Sequence, residues 1–434
     1  IKEGSNRLKD KSVVSVIQSS KEYAKDITIS EIDMMVREAV EKAGGLKDII
    51  KDGQTVVIKP NLVQMRHYAT GELLEKELNG VTTDWRVTKS IVDMVLELNP
   101  KGKIYIMEGS AGGKTSDIMK HLNYTKEYMP KVDKFIAIEE ESGQWLEYSS
   151  PLLTKVSFPQ GLYSKTYYMN KIYKDADVLI SIPCLKNTTG VITTGSIKNV
   201  SIGATPANIY GNAPDKYARN NKISHEISDG VLDKWMFDYF AARPVTFTVT
   251  DGLEGFQNGP YPHKVGSEKD DKMNMRMILA GSDAVAVDTI QTLLMNWNPY
   301  MVKYLDYLEK AKLGTMDISK IIVNGIFVDK ARKNFATKSK TSEEKRIKDH
   351  TPPALNIIKQ DFSNNILSIS LNVDADVKKI EIFLDQKLID IFTSDFSELK
   401  INLDDINTGK HSIKLCLYDD FLNHSEKLMD IEVK

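Results

Sequence analysis

Apolar residues over the first 325 positions fall into short continuous runs separated by stretches of helical spacing. Residues 12–17 (SVVSVI) and Thr55 to Ile58 read as strands. Between them Ile32, Met35, Val36, Ala39 and Val40 recur at three- and four-residue intervals. That spacing predicts a helix from Glu31 to about Ala43, capped by Ser30 and ended by Gly44-Gly45. An amphipathic helix follows over Val87 to Leu98, closed by Pro100 and Gly102, and leads into a strand from Lys103 to Met107. Residues 123–170 are less regular, with short strands expected at Lys134–Ile138 and Leu152–Val156. Further strands are expected at Ala176–Ile182, Val245–Val249, Met277–Ala280 and Ile321–Val323. Helices are expected at about Ser224–Phe240, after a cap at Ser282 or Asp283, and at about Tyr300–Ala311. Strands and helices alternating at short spacing predict βαβ units, so residues 1–329 are expected to form an α/β domain with a mostly parallel sheet flanked by helices.

Residues 330–351 (KARKNFATKSKTSEEKRIKDHT) are basic and polar, a composition that predicts a linker. After Pro352-Pro353 the pattern changes to short runs at Ile366–Val373, Val377–Leu384, Lys387–Phe392, Leu399–Leu403 and His411–Leu417. Asp, Asn, Gly and Ser separate them, which predicts a small all-β sandwich over residues 352–434.

Composition narrows the function classes. With 58 basic and 60 acidic residues the net charge is −2, so no basic surface for nucleic acid or anionic lipid is indicated. No apolar run reaches the roughly 18 residues of a membrane helix. Two cysteines, Cys184 and Cys416, are too few for an iron–sulfur cluster, which takes about four.

Candidate chemistry follows from the fold, because parallel α/β sheets bind ligands beyond the C-terminal ends of their strands. One stretch stands out, residues 180–203 (ISIPCLKNTTGVITTGSIKNVSIG), which follows an apolar run and holds two Lys-Asn pairs among threonines and glycines. It is expected to form the floor of a polar site. The ligand-binding candidates at strand ends and their loops are Lys59, Asn61, Asp84, Lys186, Asn187, Lys198 and Asn199. Glu108, Asp251 and His225 are the candidate acid–base groups, with His225 the natural proton carrier near neutral pH. Glu108, Asp251 and Glu254 are the candidate ligands of a hard cation such as Mg or Ca. Asp84, Asp283 and Asp288 also suit helix caps or faces. The stretch Gly109-Ser-Ala-Gly-Gly-Lys114-Thr115 is similar to a phosphate-binding P-loop, but Glu108 stands where its first glycine belongs. Its amides could still form a nest for another anion.

Several of these segments occur in an order that resembles a known family. VVIKPNLV, TDWRV, IYIMEGS, DADVLISIPCLKN, TTGSIKNVSIG, VTDGLEGFQNGP and ILAGSDAVAVDTI together resemble the domain-of-unknown-function family numbered 362, over residues 12–325. The resemblance implies an association with ferredoxin-type 4Fe–4S modules for some members, and the cysteines for such a cluster are absent from this chain. The family pattern carries Thr-His where this chain has Asn187-Thr188, so any histidine role there is missing. The tail, with Gly409-Lys410-His411-Ser412-Ile413 and then Asp419-Asp420 and Asn423, resembles bacterial immunoglobulin-like modules. That resemblance, with a chain beginning at Ile1, implies an extracellular or cell-envelope location after removal of a leader. The leading expectation is an exported protein that binds and transforms an anionic small molecule, with a divalent cation as its accompanying ion. The alternatives are a non-catalytic surface protein whose sandwich contacts a cell-wall or surface polymer, and a redox protein served by a separate ferredoxin.

Overall fold

A computed structural model describes residues 6–67, 70–147, 149–188, 190–210, 230–260, 271–404 and 406–433. The α/β unit is built on a 10-stranded sheet. Its elements are β1 (Ser12–Gln18), α1 (Ile29–Lys42), β2 (Thr55–Pro60), α2 (Trp85–Leu98), β3 (Lys103–Glu108), α3 (Thr115–His121) and β4 (Lys134–Ala137). Two small hairpins follow, β5–β6 (Glu140–Glu141, Gln144–Trp145) and β7–β8 (Leu153–Ser157, Thr166–Asn170). Then come α4 (Lys171–Asp175), β9 (Val178–Ile182), β10 (Cys184–Thr188), β11 (Ile192–Thr194), α5 (Ser196–Ile202), α6 (Ala207–Tyr210) and α7 (Val231–Ala242). The unit closes with β12 (Phe247–Phe256), β13 (Lys272–Gly281), α8 (Ala284–Leu294), α9 (Lys303–Lys310) and β14 (Ile321–Gly325).

The strand order is β14-β1-β13-β12-β9-β2-β3-β4, and every neighbouring pair is parallel except those of β13, which runs against β1 and β12. Successive side chains of a strand point to opposite faces, and the two cores divide accordingly. Val56 and Ile58 join Ile32, Val36 and Val40 of α1 and Ile91 and Val95 of α2 in one core. Val57 joins Val200 of α5, Met236 of α7 and Ile290 of α8 in the other. Beyond β9 the chain turns at Pro183 and resumes as β10, which pairs with the bulged end of β12 and with β11. Polar residues at the ends of β2, β3, β9 and β12 therefore meet at one edge.

Local chemistry moves several expected boundaries. Helix α1 is capped by Thr28, not Ser30, through a reciprocal box in which Glu31 accepts from the Thr28 amide at 2.8 Å. Helix α7 begins at Val231, and the expected start at Ser224 lies outside the described residues. Residues 330–351 are not a free linker. Phe335 is fully buried and Ile347 nearly so. The Lys333 amide donates to Leu294 O at 2.9 Å, and Arg346 stacks 4.0 Å over Trp297. The polar average of this stretch hides a few apolar anchors that bind it to the α/β unit.

The C-terminal unit has a 3-stranded sheet, β15-β16-β19, and a 4-stranded sheet, β18-β17-β20-β21, both antiparallel. The strands are β15 (Leu355–Ser363), β16 (Ile366–Val373), β17 (Lys379–Leu384), β18 (Lys387–Phe392), β19 (Glu398–Asn402), β20 (Gly409–Tyr418) and β21 (His424–Val433), and they enclose their own core, including Ile369, Ile382 and Leu415. The sandwich rests against the α/β unit. Buried Lys379 donates to Ile321 O at 2.5 Å and to Glu381 at 2.6 Å. His424 Nδ1 pairs with Asp329 at 2.7 Å, and Arg332 donates to Asn423 Oδ1 at 2.9 Å.

Candidate functional site

The residues at the strand ends form two neighbouring buried polar groups, one around Lys59 and one around Lys186. Lys59, at the end of β2, is fully buried and donates to Glu108 Oε1 at 2.7 Å, to Pro60 O at 2.7 Å and to Asn199 Oδ1 at 3.0 Å. Asn199, on α5, returns its amide nitrogen to Lys59 O at 3.0 Å and Ser181 Oγ at 3.1 Å. Glu108, at the end of β3, also accepts from the amides of Leu62 at 2.6 Å and Gly109 at 2.8 Å. A buried ion pair needs such extra bonds, since removing two charges from water is expensive. Gly203 closes the arrangement, because a Cβ there would lie 2.8 Å from Lys59 Nζ.

Lys186, on β10, centres the second group. Its ammonium donates to Asn61 Oδ1 at 3.3 Å and to the Val81 carbonyl. Asn61 is held by Thr83, whose hydroxyl accepts the Asn61 amide at 2.8 Å and donates to Ile182 O at 2.6 Å. Both acceptors of Lys186 are neutral, and burial pulls its pKa down to about 8. Thr194, the cross-strand partner of Lys186 on β11, is buried, and its hydroxyl has no partner among the described residues. Paired residues on neighbouring strands share a face, so this hydroxyl and the Lys186 stem leave β10–β11 on the same side.

Lys198 is treated differently from the other buried lysines among the described residues. It is 7 % exposed, and no hydrogen bond or ion pair holds its ammonium among the described residues. Burial, and then the charge of Lys186, lower its pKa to about 7. Its helix is fixed from below. Asp288 of α8, fully buried, accepts the α5 amides of Ser196 at 2.7 Å and Ile197 at 3.1 Å. Gly195 makes room for this cap, since a Cβ there would sit 2.2 Å from Asp288 Oδ1.

Other candidates are placed elsewhere. Asp84 caps α2 and is gripped by the Arg86 guanidinium at 2.9 and 2.7 Å and by the Leu78 amide at 3.1 Å, so its carboxylate serves structure. Asp251 accepts the amides of Asp84 at 2.7 Å and Leu253 at 3.1 Å, and burial with the Asp84 charge raises its pKa. Asn187 does not join Lys186. Its amide donates to Ala336 O at 2.7 Å and accepts from Gly259 N at 3.4 Å. Glu254 is half-buried beyond the β12 bulge, and burial pushes it up to about 7. Glu108, Asp251 and Glu254 are therefore not drawn together, and no group of three His, Cys, Asp or Glu side chains suited to a metal occurs among the described residues. His225 lies outside the described residues.

The P-loop-like turn is closed on itself. The amides of Gly109, Ser110, Ala111 and Gly112 donate to Gly203 O, Thr115 Oγ1 and, for the last two, Val63 O. These four amides are therefore not available to an anion nest. Cys184 is a buried free thiol, raised by burial to about 12, and so stays protonated.

Sequence reasoning missed Thr194, Thr83 and Asp288 as parts of the site. Thr83 was visible only as the residue before a helix cap. Thr194 depends on the register of β10 with β11, and Asp288 on how α8 packs under α5. Neither relation has a local signature.

The family described as domain of unknown function (DUF362) matches residues 56–292, more than half of the chain. No curated protein matches it. Among solved structures, the lactate racemase apoprotein from Thermoanaerobacterium thermosaccharolyticum shares 13% identity at a TM-score of 0.34, covering 65% of this chain and 56% of that one. Fibronectin(III)-like modules of Clostridium thermocellum CbhA share 18% identity at a TM-score of 0.16, covering 19% of this chain and 96% of theirs. The PKD1 domain of Vibrio anguillarum Epp shares 11% identity at a TM-score of 0.16, covering 20% and 98%. At such TM-scores none of these likenesses bears on activity. No helix among the described residues is long and apolar enough to cross a membrane.

Proposed function

The chain belongs to the DUF362 family, and from the charges at its strand ends we propose that it binds a small anionic molecule with Lys186, Lys198 and Thr194. The observation that carries this reading is an internal contrast. Among the described residues four lysines are buried: Lys59, Lys186, Lys198 and Lys379. Lys59 is paired with Glu108 and Lys379 with Glu381. Lys186 has neutral acceptors only, and Lys198 has none. A buried unpaired charge is expensive, and a buried donor without an acceptor costs about 1–3 kcal/mol. An anion between Lys186 and Lys198 supplies the missing charge and acceptors. An ammonium has three donors, and the two bonds of Lys186 leave one for the ligand. Asn61 and Asn199 then act as positioning residues, holding Lys186 and the α5 backbone.

Calorimetric titration with inorganic phosphate and with oxalate tests this. Binding is expected at pH 6–7 and should fade above about pH 8, where Lys186 loses its proton. Lys186→Met should weaken binding ten- to a hundred-fold, since a charge-assisted hydrogen bond contributes about 1.5–3 kcal/mol. Binding that survives Lys186→Met and Lys198→Met together in folded protein would place the anion elsewhere and sink the reading.

A further inference from the structure

We infer that the ligand is a small oxo acid, whose carboxylate is held by Lys186 and Thr194 and whose carbonyl carbon is attacked by Lys198 to form an imine. The inference rests on the anion-site reading and goes beyond it by naming the ligand's second functional group. Its first support is the asymmetry between the two lysines. Lys186 is anchored by Asn61 Oδ1 and the Val81 carbonyl, which suits an ammonium that holds and does not react. Lys198 is anchored by nothing among the described residues, and a nucleophilic amine must leave its lone pair free.

The second support is rigidity. Thr194 ends β11, Gly195 follows, and Lys198 lies within the first turn of α5, whose amides are pinned by Asp288. Lys186 is tied to Thr194 by register. The holding and reacting groups therefore come from two joined and internally bonded segments. A desolvated lysine beside a second cation is activated as a nucleophile, because its neutral form is populated near neutral pH. The lowered proton affinity of Lys198 agrees with this.

The step balances without a co-reactant. The neutral Lys198 amine attacks the carbonyl carbon, and the carbonyl oxygen takes a proton. The nitrogen of the resulting carbinolamine loses its own proton. The hydroxyl then takes a second proton from solvent and departs as water while the nitrogen lone pair forms the C=N bond, and the nitrogen's remaining proton returns to solvent. Borohydride makes the bond permanent by delivering hydride to the imine carbon, with a proton from water completing the secondary amine.

The experiment incubates the full chain with pyruvate or, separately, levulinate, adds sodium borohydride, and maps the modified lysine by peptide mass spectrometry. The expected adduct has the mass of the probe less one water plus two hydrogens. It should fall on Lys198 and be suppressed by excess oxalate. Lys198→Arg should lose the adduct while still binding oxalate by calorimetry. Oxalate binding without a Lys198 adduct from either probe overturns the imine and leaves the anion site standing. Loss of both overturns both. Adducts scattered over surface lysines, and indifferent to oxalate, also overturn the imine.

Discussion

Lys198 should make the ligand-free protein less stable than it needs to be, by an amount that depends on pH. Its pKa falls from the ordinary 10.5 to about 7. One pKa unit is 1.36 kcal/mol, so the buried ammonium costs the folded state about 5 kcal/mol wherever it stays protonated. The sign follows from linkage. Between about pH 7 and 10.5 the unfolded chain binds a proton on this lysine that the folded chain does not, so stability rises with pH across that window. Below about pH 7 both states are protonated and the full penalty applies. Lys198→Met keeps the stem and removes the charge. It should therefore stabilise the protein by up to about 5 kcal/mol at pH 6, the gain shrinking by about 1.4 kcal/mol per pH unit above pH 7. Urea unfolding in chloride buffer, followed by tryptophan fluorescence at pH 6, 7, 8 and 9, measures the difference. Comparing the two proteins at each pH removes most of the titration of Asp288 and Cys184, which is common to both. A variant less stable than the parent at pH 6, or a difference that does not change with pH, would refute the argument by showing that Lys198 already has a partner.

Three further outcomes follow from the same geometry. Lys59→Met leaves Glu108 buried without its cation and should destabilise the α/β unit by about 3–5 kcal/mol, measured by urea unfolding at pH 7. Gly195→Ala drives a Cβ into the Asp288 carboxylate, so loss of the α5 cap should lower stability by up to about 2 kcal/mol and also weaken oxalate binding. Phe335→Ala should destabilise the α/β unit by about 3–5 kcal/mol, seen as a lower midpoint of its unfolding transition. A surface linker residue would leave that midpoint unchanged.

The architecture was legible because periodicity carries it. Val56, Val57 and Ile58 announced a strand buried on both faces, and the α1 stripe announced its core contact. The strand-end rule and its loops then collected Lys59, Asn61, Glu108, Lys186 and Asn199, which the structure bonds as two neighbouring groups, Lys59 with Glu108 and Asn199, and Lys186 with Asn61. The same rule was too generous with Asn187. Adjacent positions on a strand face opposite ways, so a Lys-Asn pair on β10 cannot serve one site with both side chains. The rule also could not rank the lysines, because whether a buried ammonium has a carboxylate partner depends on loops far apart in the chain. Residues 330–351 were misjudged because composition averages over a stretch, while docking depends on a few anchors such as Phe335 and Ile347.

Placing a paired lysine system beside an unpaired one has a mechanical logic. Asn199 and Lys198 are consecutive on α5, so their side chains leave the helix about 100° apart at 3.6 residues per turn. Asn199 is locked to Lys59 and Ser181, and Lys59 is locked to Glu108. This fixes both the rotation and the height of α5 on the sheet. Asp288 fixes its start from the opposite side. A helix this short has little stability of its own and would otherwise fray. Held at both points, it presents the Lys198 stem in one orientation while its nitrogen remains without a partner among the described residues. Groups that must meet a ligand in a set geometry work best on elements whose own contacts are complete. The Lys59–Glu108 pair is therefore better understood as the support that holds a free amine in place than as part of the chemistry.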